Sequence, residues 1–380
     1  MKIFDVAIIG SGPAGASAAL KLAEAGISTV IIEKETLPRY KTCGGGFAFR
    51  GRKEMPFDVS EVVEKEFFRI DAYFEKLGLH FTSEREEPII SMVMRDDFDN
   101  FLVEKAKDAG ITLLENHKLK DITFGDELIL HTSQEDIKTK FVIAADGVLS
   151  PTARIAGWEE TRLLIPALEY EVEVHPEDFE RLSKSVRLDF DAIPMGYGWC
   201  FPKKNHLSIG LASFRRVKVD FKQLYRDYMI NTLGITEVIK EDMHGFQIPV
   251  TPRTDGCVRK NVFLVGDAAG FADPLTAEGI SNAIFSGIMA AEAMIESQLD
   301  QEEAAKIYND KLNATLIPEL KVGVRLSKMF YDNETIRNFL MKKFGDRINE
   351  GMTQILMGER TYPTDIVKRV RKKLGKAIFS

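Results

Sequence analysis

Short apolar runs occur at four places along this chain, and each has the composition of a strand buried on both faces. They are residues 6–9, 28–32, 141–145 and 261–265. The first and last runs lead through glycine towards segments rich in alanine and other small residues, at 16–25 and 280–295, which is typical of packed helices. Strands that alternate with helices in this way predict a parallel sheet with helices on its faces.

The pattern changes between residues 166 and 250, where four segments have strand character with no long helix between them. They are residues 167–174, 186–190, 198–202 and 206–213. These segments predict an antiparallel sheet in a separate lobe. Residues 58–77 and 301–360 have patterns typical of helices. We therefore expect a mixed α/β fold: a Rossmann-like parallel sheet, an inserted antiparallel lobe and a helical C-terminal part.

Three structural units follow from these patterns. Residues 1–165 and 251–300 form a discontinuous unit around the parallel sheet, residues 166–250 form the antiparallel lobe, and residues 301–380 form the helical C-terminal region. The chain is long enough for such a division, since a single core stops growing at about 250–300 residues.

Charge and cysteine content narrow the class of protein. A net charge of −7 argues against nucleic acid as a partner, because binding nucleic acid needs a basic face. The three cysteines lack a Cys-x-x-Cys pairing, so we expect neither a disulfide framework nor a metal site. The start of the chain lacks a signal-peptide pattern, and no apolar run approaches the roughly 18 residues of a membrane span. We therefore expect a cytoplasmic protein.

The first apolar run passes directly into Gly-x-Gly-x-x-Gly, formed by Gly10, Gly12 and Gly15. In this motif the first glycine permits a tight turn, the second lets the backbone approach a pyrophosphate, and the third lets the helix pack on the strand. Glu33, at the end of the second strand, stands where a ribose hydroxyl is bound. The sequence thus predicts a dinucleotide site, whose candidate residues are Gly10, Gly12, Pro13, Ala14, Gly15, Glu33 and Lys34.

Residues 43–46 read Cys-Gly-Gly-Gly. Three consecutive glycines hold no helix, so we expect a loop with unusual dihedral angles. One interpretation is a flexible surface turn. The interpretation that we favour is backbone lying against a flat ligand, with the thiol of Cys43 beside it, because cysteine is rarely exposed. The candidate residues are Cys43, Gly44, Gly45 and Gly46.

Other candidates stand at the ends of strands. Asp146 and Gly147 follow the third apolar run, and Gly266 and Asp267 follow the fourth, where ligands bind to open parallel sheets. Asp267 is suited to accept hydrogen bonds from ribose or ribityl hydroxyls.

The starts of two helices supply the remaining candidates. Arg95 precedes a helix with an acidic first turn, and it either contacts a cofactor phosphate or pairs with a carboxylate. Residues 271–280, which include Pro274, Gly279 and Ile280, lead into the helix at 280–295. Free N–H groups at Gly279 suit the electron-rich edge of a ring.

Tyr197, Trp199 and Phe201 lie on one face of a predicted strand, because side chains two residues apart point the same way. Pro194 and Pro202 bound this segment. From the strand pattern alone, the aromatic side chains either pack in the core or form a flat apolar wall for a planar or oily ligand.

The C-terminal tail, residues 361–380, is basic and amphipathic. Its six basic residues accompany Asp365 alone, and apolar residues recur every four positions at Ile366, Val370, Leu374 and Ile378. Such a helix either lies on an anionic membrane surface or docks on the protein by its apolar stripe.

Together these motifs resemble the geranylgeranyl reductase family of FAD-dependent oxidoreductases, which are built like the aromatic hydroxylases. The resemblance covers roughly residues 1–290 and implies that the glycine motif with Glu33 binds FAD, and that the discontinuous unit is the FAD-binding domain. It implies that residues 43–46 lie beside the isoalloxazine. The remaining FAD contacts implied are Arg95, Asp146, Gly147, Asp267, Pro274, Gly279 and Ile280. The substrate-lining residues implied are Pro194, Tyr197, Trp199, Phe201 and Pro202. Relatives usually have glycine in place of Ala277, and residues 301–380 match no pattern that we identify.

The resemblance implies that the protein reduces carbon–carbon double bonds of an isoprenoid lipid. Reduced FAD gives a hydride to one alkene carbon, and an acid gives a proton to the other. The catalytic candidates are Cys43, Tyr197 and Trp199, and the proton comes from Cys43, Tyr197 or ordered water. Because no second Gly-x-Gly-x-x-Gly occurs, we expect NADPH or another external donor, such as an electron-transfer protein. A lipid substrate fits peripheral contact with the inner face of the membrane.

Two alternatives stay open. The same scaffold serves flavin-dependent monooxygenases and halogenases, although the Trp-x-Trp-x-Ile-Pro segment of halogenases differs here at Tyr197 and Phe201. The other alternative is an electron-transfer flavoprotein that passes electrons to quinone.

Overall fold

A computed structural model describes residues 1–363, so most of the basic tail, from residue 364 onward, lies outside the described residues. The strands of the described part are, in chain order, β1 (Lys2–Ile9), β2 (Thr29–Ile32), β3 (Gly46–Ala48), β4 (Val63–Phe67), β5 (Arg69–Phe74), β6 (Leu79–Glu84), β7 (Ile90–Val93), β8 (Thr112–Leu114), β9 (Leu119–Thr123), β10 (Leu128–Thr132), β11 (Asp136–Ala144), β12 (Leu164–Val174), β13 (Val186–Asp189), β14 (Gly196–Pro202), β15 (Leu207–Ser213), β16 (Val238–Pro249), β17 (Val258–Arg259) and β18 (Val262–Leu264).

The α-helices of the same part are α1 (Pro13–Glu24), α2 (Phe49–Arg52), α3 (Arg95–Asp108), α4 (Pro151–Ile155), α5 (Pro176–Leu182), α6 (Phe221–Asp227), α7 (Gly266–Ala269), α8 (Ile280–Glu296), α9 (Gln301–Ala314), α10 (Leu316–Tyr331) and α11 (Glu334–Leu356). No helix among residues 1–363 is both long and apolar enough to cross a membrane.

The first large sheet has β1 in its middle, parallel to β11 on one side and to β2 on the other. β8 and β18 extend the sheet with further parallel pairings. Residues 6–9 are buried, and α1, which packs against α8, contacts β1. The predicted Rossmann-like sheet is therefore confirmed, and the four apolar runs supply β1, β2, β11 and β18.

The second large sheet has seven strands in the order β16-β12-β15-β14-β13-β5-β6. Neighbouring strands are antiparallel except for β5 and β13, which are parallel. The predicted antiparallel sheet is confirmed, but it is larger than expected. Residues 69–84, from within the range 1–165, form two of its strands instead of belonging to the first sheet.

The helix predicted over residues 58–77 is wrong, because this segment forms β4 and β5 with short 3-10 turns around them. Ile70, Ala72 and Phe74 alternate with more polar residues, and this period of two matches a strand with one buried face. Pairing with β13 and β6 outweighs the helix preference of the neighbouring charged residues.

The helices predicted over residues 301–360 are confirmed as α9, α10 and α11. α11 packs on β6 so closely that a Cβ at Gly345 would lie 2.0 Å from the ring of Phe81. The helical part therefore covers the end of the second sheet formed by β5 and β6.

The close packing of α8 on α1 can be tested by substitution. A Cβ at Gly287 would lie 2.1 Å from the carbonyl oxygen of Ala14, whereas a Cβ at Gly351 of α11 would have 3.8 Å to its nearest neighbour. We expect Gly287→Ala to lower the free energy of unfolding by about 1–3 kcal/mol through overpacking. The control Gly351→Ala should raise it by roughly 0.5–1 kcal/mol. Denaturant titration measures both, and equal effects would contradict the close contact.

Candidate active site

A cavity of about 1070 Å³ is lined by residues of both large sheets. One side consists of the carboxyl ends of β1, β11 and β18 and the turns that follow them, and the other is the inner face of the second sheet. Small-molecule pockets usually measure about 300–1,000 Å³, so this cavity has room for a cofactor and a second ligand.

The glycine motif forms the tight turn that its spacing predicts. Gly10 has a φ of 100°, and a Cβ at Gly15 would lie 2.1 Å from the carbonyl oxygen of Gly10. No side chain caps the N-terminus of α1, where Gly12 is the N-cap residue. Its free N–H groups suit an anion. The motif residues that line the cavity are Gly10, Gly12, Pro13 and Ala14. Gly15 does not line it, contrary to our prediction of a cofactor contact, because it packs the helix on the strand.

Glu33 and Lys34 line the cavity beyond the glycine motif. The carboxylate of Glu33 accepts hydrogen bonds from the backbone N–H (3.1 Å) and the hydroxyl (2.6 Å) of Ser11. Burial raises the pKa of Glu33, but Ser11 and the nearby guanidinium of Arg39 outweigh it, so that the pKa lies below its ordinary value. Glu33 is thus a fixed anion at the place predicted for ribose binding. Ser11 and Arg39 were not predicted to contact Glu33, because no motif specifies them.

Arg95 lines the cavity and pairs with a carboxylate. Its Nε and Nη2 lie 2.7 and 2.8 Å from the carboxylate oxygens of Asp99, which is fully buried. Burial lowers the pKa of Arg95, but the charge of Asp99 more than compensates, and the pKa lies above its ordinary value. The carboxylate interpretation is confirmed, and the ion pair holds the guanidinium where an anionic ligand can meet it.

Asp146 and Gly147 line the cavity at the end of β11. The carboxylate of Asp146 accepts hydrogen bonds from the hydroxyl of Ser150 (2.6 Å) and from the backbone N–H of Thr152 (2.9 Å). These contacts stabilise the start of α4, so at least part of the role of Asp146 is local.

Asp267 and the start of α8 meet at the middle of the cavity. The side chain of Asp267 accepts no hydrogen bond from residues 1–363 and lines the cavity, and burial raises its pKa. A Cβ at Gly279 would lie 3.6 Å from Oδ1 of Asp267. Gly279, the N-cap residue of α8, has no side chain to cap the helix, and Oε1 of the preceding Glu278 accepts a hydrogen bond from the N–H of Ser281 at 2.8 Å. Gly279 and Ile280 line the cavity as predicted, whereas Pro274 lies outside it and contacts α10 at Gly323.

The loop at residues 43–46 is a fixed wall of the cavity, not a flexible turn. Lys203, which is fully buried, donates hydrogen bonds from Nζ to the carbonyl oxygens of Gly44 and Val93, both at 2.8 Å. Gly45 has a φ of 73°, and a Cβ there would lie 2.1 Å from Nζ of Lys203. Burial lowers the pKa of Lys203. Nothing in the sequence singled out this lysine.

The other end of the loop is held by a buried acid that the sequence also did not reveal. Oε1 of Glu169 accepts hydrogen bonds from the backbone N–H of Cys43 (2.9 Å) and from the hydroxyl of Tyr40 (3.1 Å). Sγ of Cys43 in turn accepts a hydrogen bond from the N–H of Gly45, at 3.4 Å. Both Cys43 and Glu169 line the cavity.

Tyr197, Trp199 and Phe201 line the cavity together, and we call them the aromatic wall. Their rings are accommodated because the residues opposite them on β15 are small: Ala212, Gly210 and Ser208. The hydroxyl of Tyr197 donates a hydrogen bond to the carbonyl oxygen of Thr276, at 2.5 Å. Burial raises the pKa of Tyr197 above its ordinary value.

Pro194 and Pro202 do not line the cavity, which corrects our expectation for both. Pro202 directly follows Phe201, so its side chain points to the face of β14 opposite the aromatic wall. Pro194 precedes the strand, and its carbonyl oxygen accepts a hydrogen bond from Ser213.

Beyond the aromatic wall, the cavity continues between the second sheet and the last two helices. We call this part the apolar arm. It is lined by Ile70, Ala72, Phe74, Val186, Leu188, Phe190, Phe330, Met341, Ile348, Met352 and Leu356. The sequence did not predict the contribution of α10 and α11, because the motifs end before them.

The polar end of the cavity fits FAD. It presents the uncapped N-terminus of α1 for phosphates, the start of α8 at Gly279 for a ring edge, the carboxylates of Glu33 and Asp267 for hydroxyls, and the guanidinium of Arg95. The carboxylate of Asp267, which accepts no hydrogen bond from residues 1–363, is free to accept hydrogen bonds from a polyol.

Comparisons with known proteins agree with this assignment. Residues 5–72 match the family model for an FAD binding domain, and residues 93–319 match the model for tryptophan halogenase. A chloroplast geranylgeranyl diphosphate reductase of Arabidopsis thaliana is 30% identical, over 92% of this chain and 79% of that protein.

Two solved structures share the fold. A geranylgeranyl bacteriochlorophyll reductase-like protein of Thermoplasma acidophilum has a TM-score of 0.76 and 24% identity, over 92% of this chain and 98% of that one. The flavin-dependent brominase Bmp2 has a TM-score of 0.75 and 18% identity, over 99% and 100% of the two chains. At these identities both show the fold alone.

The fold, the cavity and the matched FAD domain define an FAD-dependent oxidoreductase. Within that class, the chain belongs to the geranylgeranyl reductase family.

Gly45 provides a test of the cofactor cradle. We expect Gly45→Ala to weaken FAD binding about tenfold or more, because a left-handed alanine costs roughly 1–2 kcal/mol and its Cβ displaces Lys203 or the loop. Gly46→Ala is the control, since its Cβ would have 3.5 Å to the nearest atom. Titration of the apoprotein with FAD, followed by flavin fluorescence, measures both. Equal affinities of the two variants would contradict the proposed wall.

Proposed function

We propose that this protein uses FAD to saturate carbon–carbon double bonds in an isoprenoid chain of geranylgeranyl type. The supporting observation is that the apolar arm and the FAD cradle belong to one cavity. They meet where the loop touches the aromatic wall, since a Cβ at Gly44 would lie 3.2 Å from Nε1 of Trp199. An oily chain in the arm can therefore reach the loop beside which the flavin is expected.

When bound and reduced, FAD supplies the hydride. The protein's own part is to orient the reactants and to exclude water. The N-termini of α1 and α8 and the side chain of Arg95 hold the cofactor, while the apolar arm holds the isoprenoid. Because each buried CH₂ contributes about 0.8 kcal/mol, the arm favours long chains over short ones.

Tyr197 and Trp199 are assigned to positioning the substrate. The hydroxyl of Tyr197 already donates its hydrogen to Thr276, and its raised pKa keeps the proton on the oxygen. The indole ring of Trp199 contacts both the loop at Gly44 and the backbone of β15 at Gly210. Cys43 lines the same cavity as Tyr197 and Trp199, and its sulfur accepts a hydrogen bond from the N–H of Gly45.

The electrons come from outside the chain, from NADPH or from an electron-transfer protein. The supporting observation is that the sequence contains one dinucleotide motif, which the FAD domain uses.

Flavin-dependent halogenation or monooxygenation is the second candidate. The match of residues 93–319 to the tryptophan halogenase model and the fold shared with a brominase favour it. The tyrosine at 197 and the phenylalanine at 201, where the halogenase segment has tryptophan and isoleucine, count against it.

The first experiment is anaerobic incubation of the FAD-loaded protein with dithionite and a geranylgeranyl lipid, read by mass spectrometry. We expect products heavier by two hydrogens for each bond reduced, because neither oxygen nor halide takes part. Protein without FAD is the control. An unchanged lipid without oxygen, followed by a hydroxylated or halogenated product when oxygen and halide are added, would replace the reductase with the second candidate.

A variant within the apolar arm tests where the chain lies. Trp199, Leu188 and Ala72 form a row across β14, β13 and β5, leading away from the loop. We expect Ala72→Phe to fill the arm and to lower kcat/KM for a twenty-carbon chain about tenfold or more, while a ten-carbon chain is affected little. Ala25→Phe, at an exposed position, is the control. Equal losses for both chain lengths would contradict this placement.

A further inference from the structure

Glu169 and Trp199 stand on the same face of the second sheet. Each is the cross-strand neighbour of Gly210, Glu169 from β12 and Trp199 from β14. Directly opposed residues share a face. A Cβ at Gly210 would lie 2.2 Å from Cζ2 of Trp199, so the indole ring lies over this glycine. Since neighbouring strands are about 4.8 Å apart, Glu169 borders the aromatic wall.

The carboxyl group of Glu169 is buried, and only one of its two oxygen atoms accepts hydrogen bonds from the protein. Its residue is 3% exposed and lines the cavity. Oε1 accepts both of its hydrogen bonds, from Tyr40 and from the N–H of Cys43, whereas Oε2 has no hydrogen-bond partner among residues 1–363. A protonated Oε2 would therefore present its hydrogen with no protein acceptor.

The charged and titratable groups around Glu169 come from several elements. Tyr40 and Cys43 lie on the loop, Glu171 on the same strand, Lys203 after β14, and His244 opposite Glu169 on β16. Burial and the charge of Glu171 raise the pKa of Glu169 to about 7, although Lys203 and the two hydrogen bonds oppose this rise. Near neutral pH the group can both hold and release a proton.

A row of carboxyl groups leads from Glu169 towards the surface. Glu171 and Glu173 follow at intervals of two on the same face of β12. Exposure rises along the row, since the Glu171 side chain is 12% exposed and Glu173 is fully on the surface. Nε2 of His206 lies 3.0 Å from Oε2 of Glu171, and its side chain is partly open to solvent.

We propose that Glu169 is the acid that protonates the alkene in this cavity, and that Glu171 and His206 return protons to it from solvent. The inference rests on the proposed reduction. In the step, the π bond of the alkene breaks, one carbon gains the hydride from the reduced cofactor, and the other gains the proton of Glu169. The carboxylate that remains takes up one proton from solvent, so that each turnover consumes one hydride and one proton.

Infrared spectroscopy tests the acid form directly and independently of turnover. We expect the difference between wild-type protein and Glu169→Gln to contain a carboxylic-acid C=O band that disappears as the pH rises through about 7. Glu173→Gln, an exposed carboxyl on the same strand face, should give no such band. A difference spectrum without the band at any pH would overturn the proposal, because Glu169 would then hold no proton to give.

Kinetics test the use of that proton. We expect Glu169→Gln to bind FAD normally and to lower kcat about a hundredfold or more, with KM little changed, since general acids contribute 10²–10⁴-fold. Glu169→Asp should recover part of the rate. Wild-type kcat should fall above pH 7 as the acid form is lost. A Glu169→Gln variant with wild-type kcat would overturn the proposal.

A wild-type protein that reduces no isoprenoid lipid would instead contradict the proposed function, and the infrared result would still decide whether Glu169 carries a proton.

Discussion

The architecture of the site depends on one buried ammonium group. Lys203 has no contact with solvent, and it binds the backbone of the glycine loop and of β7 through the carbonyls of Gly44 and Val93. An unpaired ammonium at such a place would be very costly, so these carbonyls must stay within reach. Gly45 is glycine because any larger residue would meet Nζ. The glycine loop is thus held in one position by a lysine that follows β14 of the second sheet.

The same arrangement joins the two halves of the molecule. The first sheet supplies the polar cradle, with helix N-termini and carboxylates, and the second supplies the aromatic wall and most of the apolar arm. Small residues on β15 let the rings lie flat on the sheet, and Glu169 stands at the edge of that surface. The polar cradle and the apolar arm therefore meet between the loop and Trp199, and this is where we propose that cofactor and substrate come together.

The cofactor half could be predicted because its residues stand at fixed positions relative to the ends of strands and the starts of helices. Gly10, Gly12 and Asp267 stand at strand ends, and local spacing reveals them. Glu169 could not be found in this way, since Glu169, Glu171 and Glu173 alternate with apolar residues, as on a solvated strand face. Only the packing of the glycine loop on β12 makes that face internal. The strands at residues 69–84 and the helical side of the arm likewise depend on tertiary contacts between distant segments.

In the proposed reaction, electrons pass from the flavin to an alkene in this cavity. The most direct measurement is anaerobic stopped-flow absorbance, in which protein carrying reduced FAD is mixed with a geranylgeranyl lipid. We expect the absorbance spectrum of oxidised FAD to return in the absence of oxygen, in proportion to the double bonds supplied. A flavin that stays reduced until oxygen is admitted would contradict it.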